Sequence, residues 1–145
     1  MRECDRSEWA KFRRYHYLNS DLPSAAKCYG LYDDEKIVAF IGVLHQPNKN
    51  PRIKRVTRLV VHPDYQGIGL GCKFLNFVAG LYVKENFDFS IVTSAKNLIR
   101  ALQRDSRWIM IRYGVNGCLS KKSAIDYSRK TIRQTCKTAS FFYRR

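Results

Sequence analysis

Three glycines at alternate positions, Gly67, Gly69 and Gly71, follow an apolar run and a proline turn in the stretch RLVVHPDYQGIGLG, residues 58–71. That order dictates a strand, a tight turn and then a helix. The first turn of an α-helix leaves backbone N–H groups without intrahelical partners, and the macrodipole adds partial positive charge there, so an anion fits that end. Glycines lack Cβ, which opens turn conformations closed to other residues and lets a phosphate approach the amides closely. Ile68 and Leu70 fill the alternate positions. Beyond the turn, Leu70, Phe74, Val78 and Leu81 recur at helical spacing, Leu75 and Tyr82 widen the stripe, and Lys84 lies near the C-terminal end, where a cation suits the dipole.

Two familiar phosphate loops fail against these residues. A dinucleotide-binding GxGxxG starting at Gly67 needs glycine at position 72, where the chain has Cys72, although Asp88 lies near the expected acidic spacing. A triphosphate-binding loop needs GxxxxGK followed by Ser or Thr, and Lys73 stands between Cys72 and Phe74. On the glycines alone, a turn that lets a helix pack closely on a strand is as good a reading as a phosphate cradle.

Leu59-Val60-Val61-His62-Pro63, followed by Gln66-Gly67-Ile68-Gly69-Leu70-Gly71, resembles motif A of the GNAT family of N-acetyltransferases. That motif places Arg or Gln, two residues, Gly, one residue and then Gly or Ala after a strand ending in Val-x-Pro. Every position is filled here. The resemblance is sharp over residues 56–82, and outside them only the order of elements agrees. It implies an α/β (α+β) fold: a mixed, mostly antiparallel central sheet with a splayed strand pair, flanked by helices. It also implies acetyl-coenzyme A as cosubstrate. The backbone amides of Gln66, Gly67, Ile68, Gly69, Leu70 and Gly71 would hold the pyrophosphate. The backbones of Leu59 and Val61, with Val60 between them, would pair with the pantetheine arm and set the thioester beside Val61. Thr93 and Ser94 would reach the same cavity, though Ser94 reads equally well as a helix N-cap.

The same resemblance leaves the catalytic positions empty. The family's chemistry is direct attack of an amine on a thioester, which needs a neutral amine, an oxyanion donor and a proton for the leaving thiolate. The Val61 N–H suits the oxyanion. Many members carry a carboxylate early on the strand before the glycine loop, but residues 54–58, Lys54-Arg55-Val56-Thr57-Arg58, contain none. Many use a tyrosine on the helix after the second splayed strand, and Gln103 stands at that position. His62 is the titratable group next to the expected thioester, although a histidine in a turn before proline is ordinarily a solvated turn residue. Tyr65 and Tyr113 are further donors with nothing to single them out. Cys72, in the first turn of the glycine-loop helix, is a packing residue or an assisted thiolate.

The rest of the chain fits one domain. Its 145 residues, 45% of them hydrophobic, suffice for a core. A helix carrying Trp9, Phe12 and His16, capped by Asp5 or Ser7, ends at the turn residues 19–23. Residues 28–32 and 37–44 form a hairpin without a glycine, and 56–61 adds a third strand to an antiparallel meander. Residues 89–92, a short helix with Leu98, Ile99, Ala101 and Leu102, and strands 108–113 and 138–143 complete the expected sheet. The last strand, with Phe141, Phe142 and Tyr143, offers an edge for a homodimer.

Charge adds a second signal: 27 Lys and Arg against 12 Asp and Glu, a formal +15. Such a surface attracts anions, and nucleic acid is the alternative partner to an amine-bearing acceptor. The excess is densest in the connection 114–136, read as a basic loop, either a flap, a nucleic-acid contact or a flexible segment, with Tyr127 as its lone aromatic, too few for a stacking platform. The charged N-terminus, the lack of an apolar run long enough for a membrane helix, and five scattered cysteines without metal spacing give the expectation of a cytoplasmic protein with no membrane or metal partner.

Overall fold

The computed structural model describes residues 1–15, 21–46, 52–114 and 137–144. Strand β1 (Arg2–Glu3) leads into α1 (Trp9–Phe12), which 3-10 turns extend on both sides (Arg6–Glu8 and Arg13–Tyr15). Asp5 caps the first turn by accepting the Ser7 N–H at 2.8 Å. The expected N-terminal helix is therefore mostly 3-10, and His16 lies outside the described residues. Hairpin β2 (Lys27–Asp33) and β3 (Lys36–His45) turns without glycine because Asp34 takes φ 50, a conformation a short polar side chain tolerates. Then follow β4 (Ile53–Val61), a 3-10 turn (Pro63–Tyr65), α2 (Leu70–Lys84), β5 (Asp88–Thr93), α3 (Lys96–Arg104), β6 (Trp108–Gly114) and β7 (Thr138–Tyr143).

All seven strands join one sheet in the order β1-β2-β3-β4-β5-β7-β6. Strands β4 and β5 run parallel, as strands joined by a crossover helix must, and the other neighbouring pairs are antiparallel. This is the expected fold class. Two expectations are corrected. Strand β7 lies between β5 and β6, so its aromatic residues offer no edge; the open edge belongs to β6, where Ile111 and Tyr113 are exposed. Ser94 does not cap α3: the cap position falls on Ala95, whose N–H is bonded to Thr93 Oγ1 at 3.1 Å. Apart from Gly114, the basic connection 114–136 lies outside the described residues, as do Cys118 and Cys136. Among the described residues no helix is long and apolar enough to cross a membrane.

Both faces of the sheet are packed. Phe74, Leu75, Val78 and Ala79 of α2 and Leu102 of α3 lie fully buried against Val56, Phe89, Ile91 and Phe141. Apart from Ala79, each such side chain contributes roughly 1.5–3 kcal/mol by leaving water. Within the predicted stripe Leu70 and Leu81 are only partly buried. On the opposite face Trp9 and Phe12 close over Phe40, with ring centroids 5.5 and 6.0 Å away. Cys4 and Cys28 are free thiols there, and burial, reinforced by Cys28, pushes Cys4 up to about 12.

One polar group interrupts the apolar face of α2. Asn76 is buried, accepts the Trp108 indole N–H at 2.7 Å and donates to Asp105 at 3.0 Å, which ties α2 to the start of β6. Replacing Asn76 with Ala orphans the buried Trp108 N–H and removes one of the bonds to Asp105, so Asn76→Ala is expected to cost about 2–3 kcal/mol, read as a lower urea midpoint. Asp105 is held near about 2, below its ordinary 3.8, by Arg107 first and by Asn76 in addition. A depressed carboxyl stabilises the fold above its unfolded value and loses that contribution as pH falls through its folded value. The stabilisation should therefore be complete above roughly pH 4 and vanish towards pH 2, and Asp105→Asn should flatten that part of the stability profile.

Candidate functional site

The site begins with an irregularity in β4. Gly42 pairs with Arg58 and Val43 with Val56, which leaves Thr57 as an extra residue on β4. Such a bulge bends its strand and increases the local twist. Thr57 Oγ1 donates to the Gly42 carbonyl at 3.1 Å. A Cβ on Gly42 would stand 2.9 Å from Leu22 Cδ1 and 3.3 Å from Thr57 Oγ1, so a larger residue would have to displace the Leu22 side chain. On its other side β4 pairs with β5 only from Ile53 to Val56. The two strands part where the bulge sits.

Beyond that point the backbone of β4 faces a gap. His62 N–H donates to the Val38 carbonyl at 2.8 Å, which fixes the phase of the β3–β4 ladder. Antiparallel alternation then turns the N–H and C=O groups of Leu59 and Val61 away from β3, towards the side where β5 has diverged. Gln66 Nε2 takes the Val61 carbonyl at 2.8 Å, leaving the Val61 N–H and the backbone of Leu59 turned to the gap.

The glycine turn closes one end. Gly67 and Gly69 have φ of 86° and 78°, the left-handed region, and nothing lies within 4 Å of a Cβ built on either. Conformation, not crowding, demands glycine there. Helix α2 starts at Leu70 with no side-chain cap, so its first-turn amides face open space. A cavity of about 420 Å³ lies against this turn, lined by Gly67, Gly69, Leu70, Gly71 and Cys72 together with Leu98 and Ala101 of α3. A second, of about 210 Å³, lies in the gap itself between Thr57, Val60, Val92 and Thr93, with Tyr15 at one wall. Leu59, Val61, Gln66, Ala95 and Leu98 line both, so the two form one cleft through the sheet.

Most of the predicted cofactor residues therefore meet at one cleft. Ile68 turns its side chain to solvent, 69% exposed, and only its backbone belongs to the turn. Ser94 lines neither cavity; Thr93 and Ala95 occupy that wall. His62 also lines neither. Its Nδ1 accepts the Asp64 N–H at 3.4 Å, which requires that nitrogen to be unprotonated, so the 3.5 Å approach of the Asp64 carboxylate to the same atom is no ion pair in that state. Tyr65 reaches the larger cavity, but its hydroxyl donates to Asp33 at 2.8 Å, and that bond pushes the phenol up. Gln103 lies against Met110 Sδ, and Tyr113 is 56% exposed on the edge strand. Burial and then Asp105 push the Cys72 thiol up. Sequence reasoning missed Thr57, Tyr15 and Leu98 as parts of the cleft.

Comparison with known proteins places this geometry. A family model described as an acetyltransferase (GNAT) domain matches residues 24–145. None of the curated proteins matches the sequence. Among solved structures, a GNAT-family acetyltransferase from Streptococcus pneumoniae superposes with a TM-score of 0.64 at 12% identity, covering 97% of this chain and 95% of that one. A GNAT-family acetyltransferase from Elizabethkingia anophelis with acetyl-coenzyme A bound gives 0.60 at 11% identity, over 84% and 78%. The ribosomal-protein-S18-alanine N-acetyltransferase from Escherichia coli gives 0.59 at 16% identity, over 84% and 70%.

If Thr57 anchors the bulge through its hydroxyl, Thr57→Val should remove one partly buried hydrogen bond and cost about 1 kcal/mol. Thermal unfolding of the pair of proteins reads this directly, and an unchanged midpoint would mean that Gly42 alone holds the bulge.

Proposed function

Because the chain belongs to the GNAT acetyltransferase family, we propose that it transfers the acetyl group of acetyl-coenzyme A to the amine of an acceptor by direct attack. The observation that carries this reading is the parting of β4 from β5 immediately before an uncapped glycine helix start, with Leu59 and Val61 turned into the opening. An elongated molecule with a phosphate end and an amide-bearing arm matches that sequence of groups. The pyrophosphate would lie on the amides of residues 67–71. The arm would lie along Leu59 and Val61 as a ligand strand added to an open sheet edge.

When bound, the donor supplies an activated thioester carbonyl; everything else comes from the chain. The Val61 N–H is the backbone donor aimed into the gap for a developing oxyanion, and the Leu59 N–H is a second, nearer the closed end. Residues 54–58 offer no carboxylate to take a proton, so the amine reaches its neutral form through water. Among the described residues lining the gap, Tyr15 carries the one phenolic hydroxyl, and we assign to it the proton given to the leaving thiolate. The Tyr15 and His62 rings meet edge to face, with centroids 5.4 Å apart, and in this reading His62 orients Tyr15. The nucleic-acid alternative draws on the charge of 114–136, outside the described residues beyond Gly114, and nothing in the cleft favours it.

Acetyl-coenzyme A at 100 times its dissociation constant should add about 2.7 kcal/mol to stability. A thermal-shift titration detects that amount, and no shift at millimolar concentration would refute the donor site. Gly69→Val forces a β-branched residue into the left-handed region, so it should abolish the shift while circular dichroism still reports a folded protein. In the steady state, Tyr15→Phe is expected to lower kcat by about 100-fold with the affinity for acetyl-coenzyme A unchanged. A kcat within twofold of the parent would assign the proton to water instead.

A further inference from the structure

Directly after the bulge residue stands Arg58, 8% exposed and the one charged side chain that is buried among the described residues. Val60, two positions further along β4, packs with Trp9, Phe12 and Phe40, so strand alternation turns Arg58 to that same face, beneath α1. A charge taken out of water is costly unless hydrogen bonds compensate it. Arg58 Nη1 donates to the Thr57 carbonyl at 2.8 Å, and Nη2 reaches the Asp21 carbonyl at 3.5 Å, a longer and weaker contact. The guanidinium carbon stands 5.6 Å from the centre of the Trp9 ring, within the range of a cation–π attraction.

The pieces joined in this way are the two walls of the gap. Thr57 lines the gap from β4; its hydroxyl is tied to Gly42 and its carbonyl to Arg58, so both polar ends of the inserted residue are held. Tyr15 lines the gap from the other side, and Trp9 and Asp21 bracket Tyr15 in the chain. Asp21 is joined to the same helical segment a second time, by its ion pair with Arg13 at 3.2 Å. Apolar packing of Trp9 and Phe12 on Phe40 presses α1 against the sheet, but such contacts carry no direction and do not by themselves fix its place along β4. A planar fork of donors aimed at backbone carbonyls does.

We propose that Arg58 is a positioning residue: by engaging the Thr57 carbonyl, the Trp9 ring and the Asp21 carbonyl at once, it sets where Tyr15 stands across the gap from β4. The catalytic meaning of that place rests on the acetyl-transfer reading, whereas the hold on Trp9 and Asp21 belongs to the fold and is tested without a donor. Hydrogen exchange followed by mass spectrometry would compare the protein with Arg58→Met. The amides of residues 9–15 should exchange about tenfold faster or more in the variant, with those of α2 unchanged. Equal exchange over residues 9–15 would overturn the proposal, and so would an acceleration shared equally by α2, which is the mark of general destabilisation. Arg58→Lys, whose ammonium is a point charge and cannot serve two carbonyls as a fork does, should restore the protection only in part, and it replaces the first variant if that one does not fold.

Turnover gives the second arm, read as the thiol released from acetyl-coenzyme A with water as acceptor: water adds to the carbonyl, the C–S bond breaks and the thiolate takes a proton. Arg58→Met should lower kcat about tenfold, leave the thermal shift with acetyl-coenzyme A unchanged, and have no further effect in a Tyr15→Phe background, because both changes act through one group. A loss of the same size in that background would overturn the proposal. A Tyr15→Phe protein that turns over like its parent refutes the proton role of Tyr15 instead, and the exchange of residues 9–15 then decides on Arg58 alone.

Discussion

The hydrogen bond from Thr57 to the Gly42 carbonyl holds in β4 one residue more than β3 can pair with, and the cleft follows from that excess. Without the bulge β4 would continue flat beside β5, and the parallel ladder would run on past Val56. With it, β4 bends away, and two residues further along the backbone of Leu59 has β3 on one side and no strand on the other. The glycine turn comes at the end of the same bent strand. An uncapped glycine turn, an open sheet edge and a gap lined by Tyr15 are thus set in fixed relation by a single local departure from strand geometry.

What the sequence disclosed followed from the range of its signals. The glycine turn, the helix behind it and the β2–β3 hairpin are local, and local chemistry decides them: Gly67 and Gly69 are there for their φ, and Asp34 replaces the glycine a tight turn usually needs. The splay was expected from family resemblance alone, because strand separation depends on register between segments far apart in sequence. Its cause still left a trace. Val56 and Leu59 both face the α2 core although three residues apart, a slip in the two-residue alternation that marks an inserted residue. Ser94 was misread because Thr93, one residue earlier, supplies the hydroxyl that bonds the Ala95 N–H. The edge position was misread for a different reason: β7 enters the sheet between β5 and β6, and order in space is not order in the chain.

Electrostatics divides the cleft. The glycine turn offers backbone amides and open space, with no charged side chain beside them among the described residues. The stretch 54–58, where the family resemblance leads one to expect a carboxylate, carries Lys54, Arg55 and Arg58 instead.

Four residue pairs join β4 to β5, and they form the root of a V whose arms part from the bulge onward. The bend that parts them is built into the β3–β4 ladder, so the opening is a property of the folded sheet. The conformational entropy of arranging its donors and acceptors is spent when the chain folds. Whatever enters finds a rigid slot, and its affinity then reflects contact and desolvation with little deducted for ordering the host.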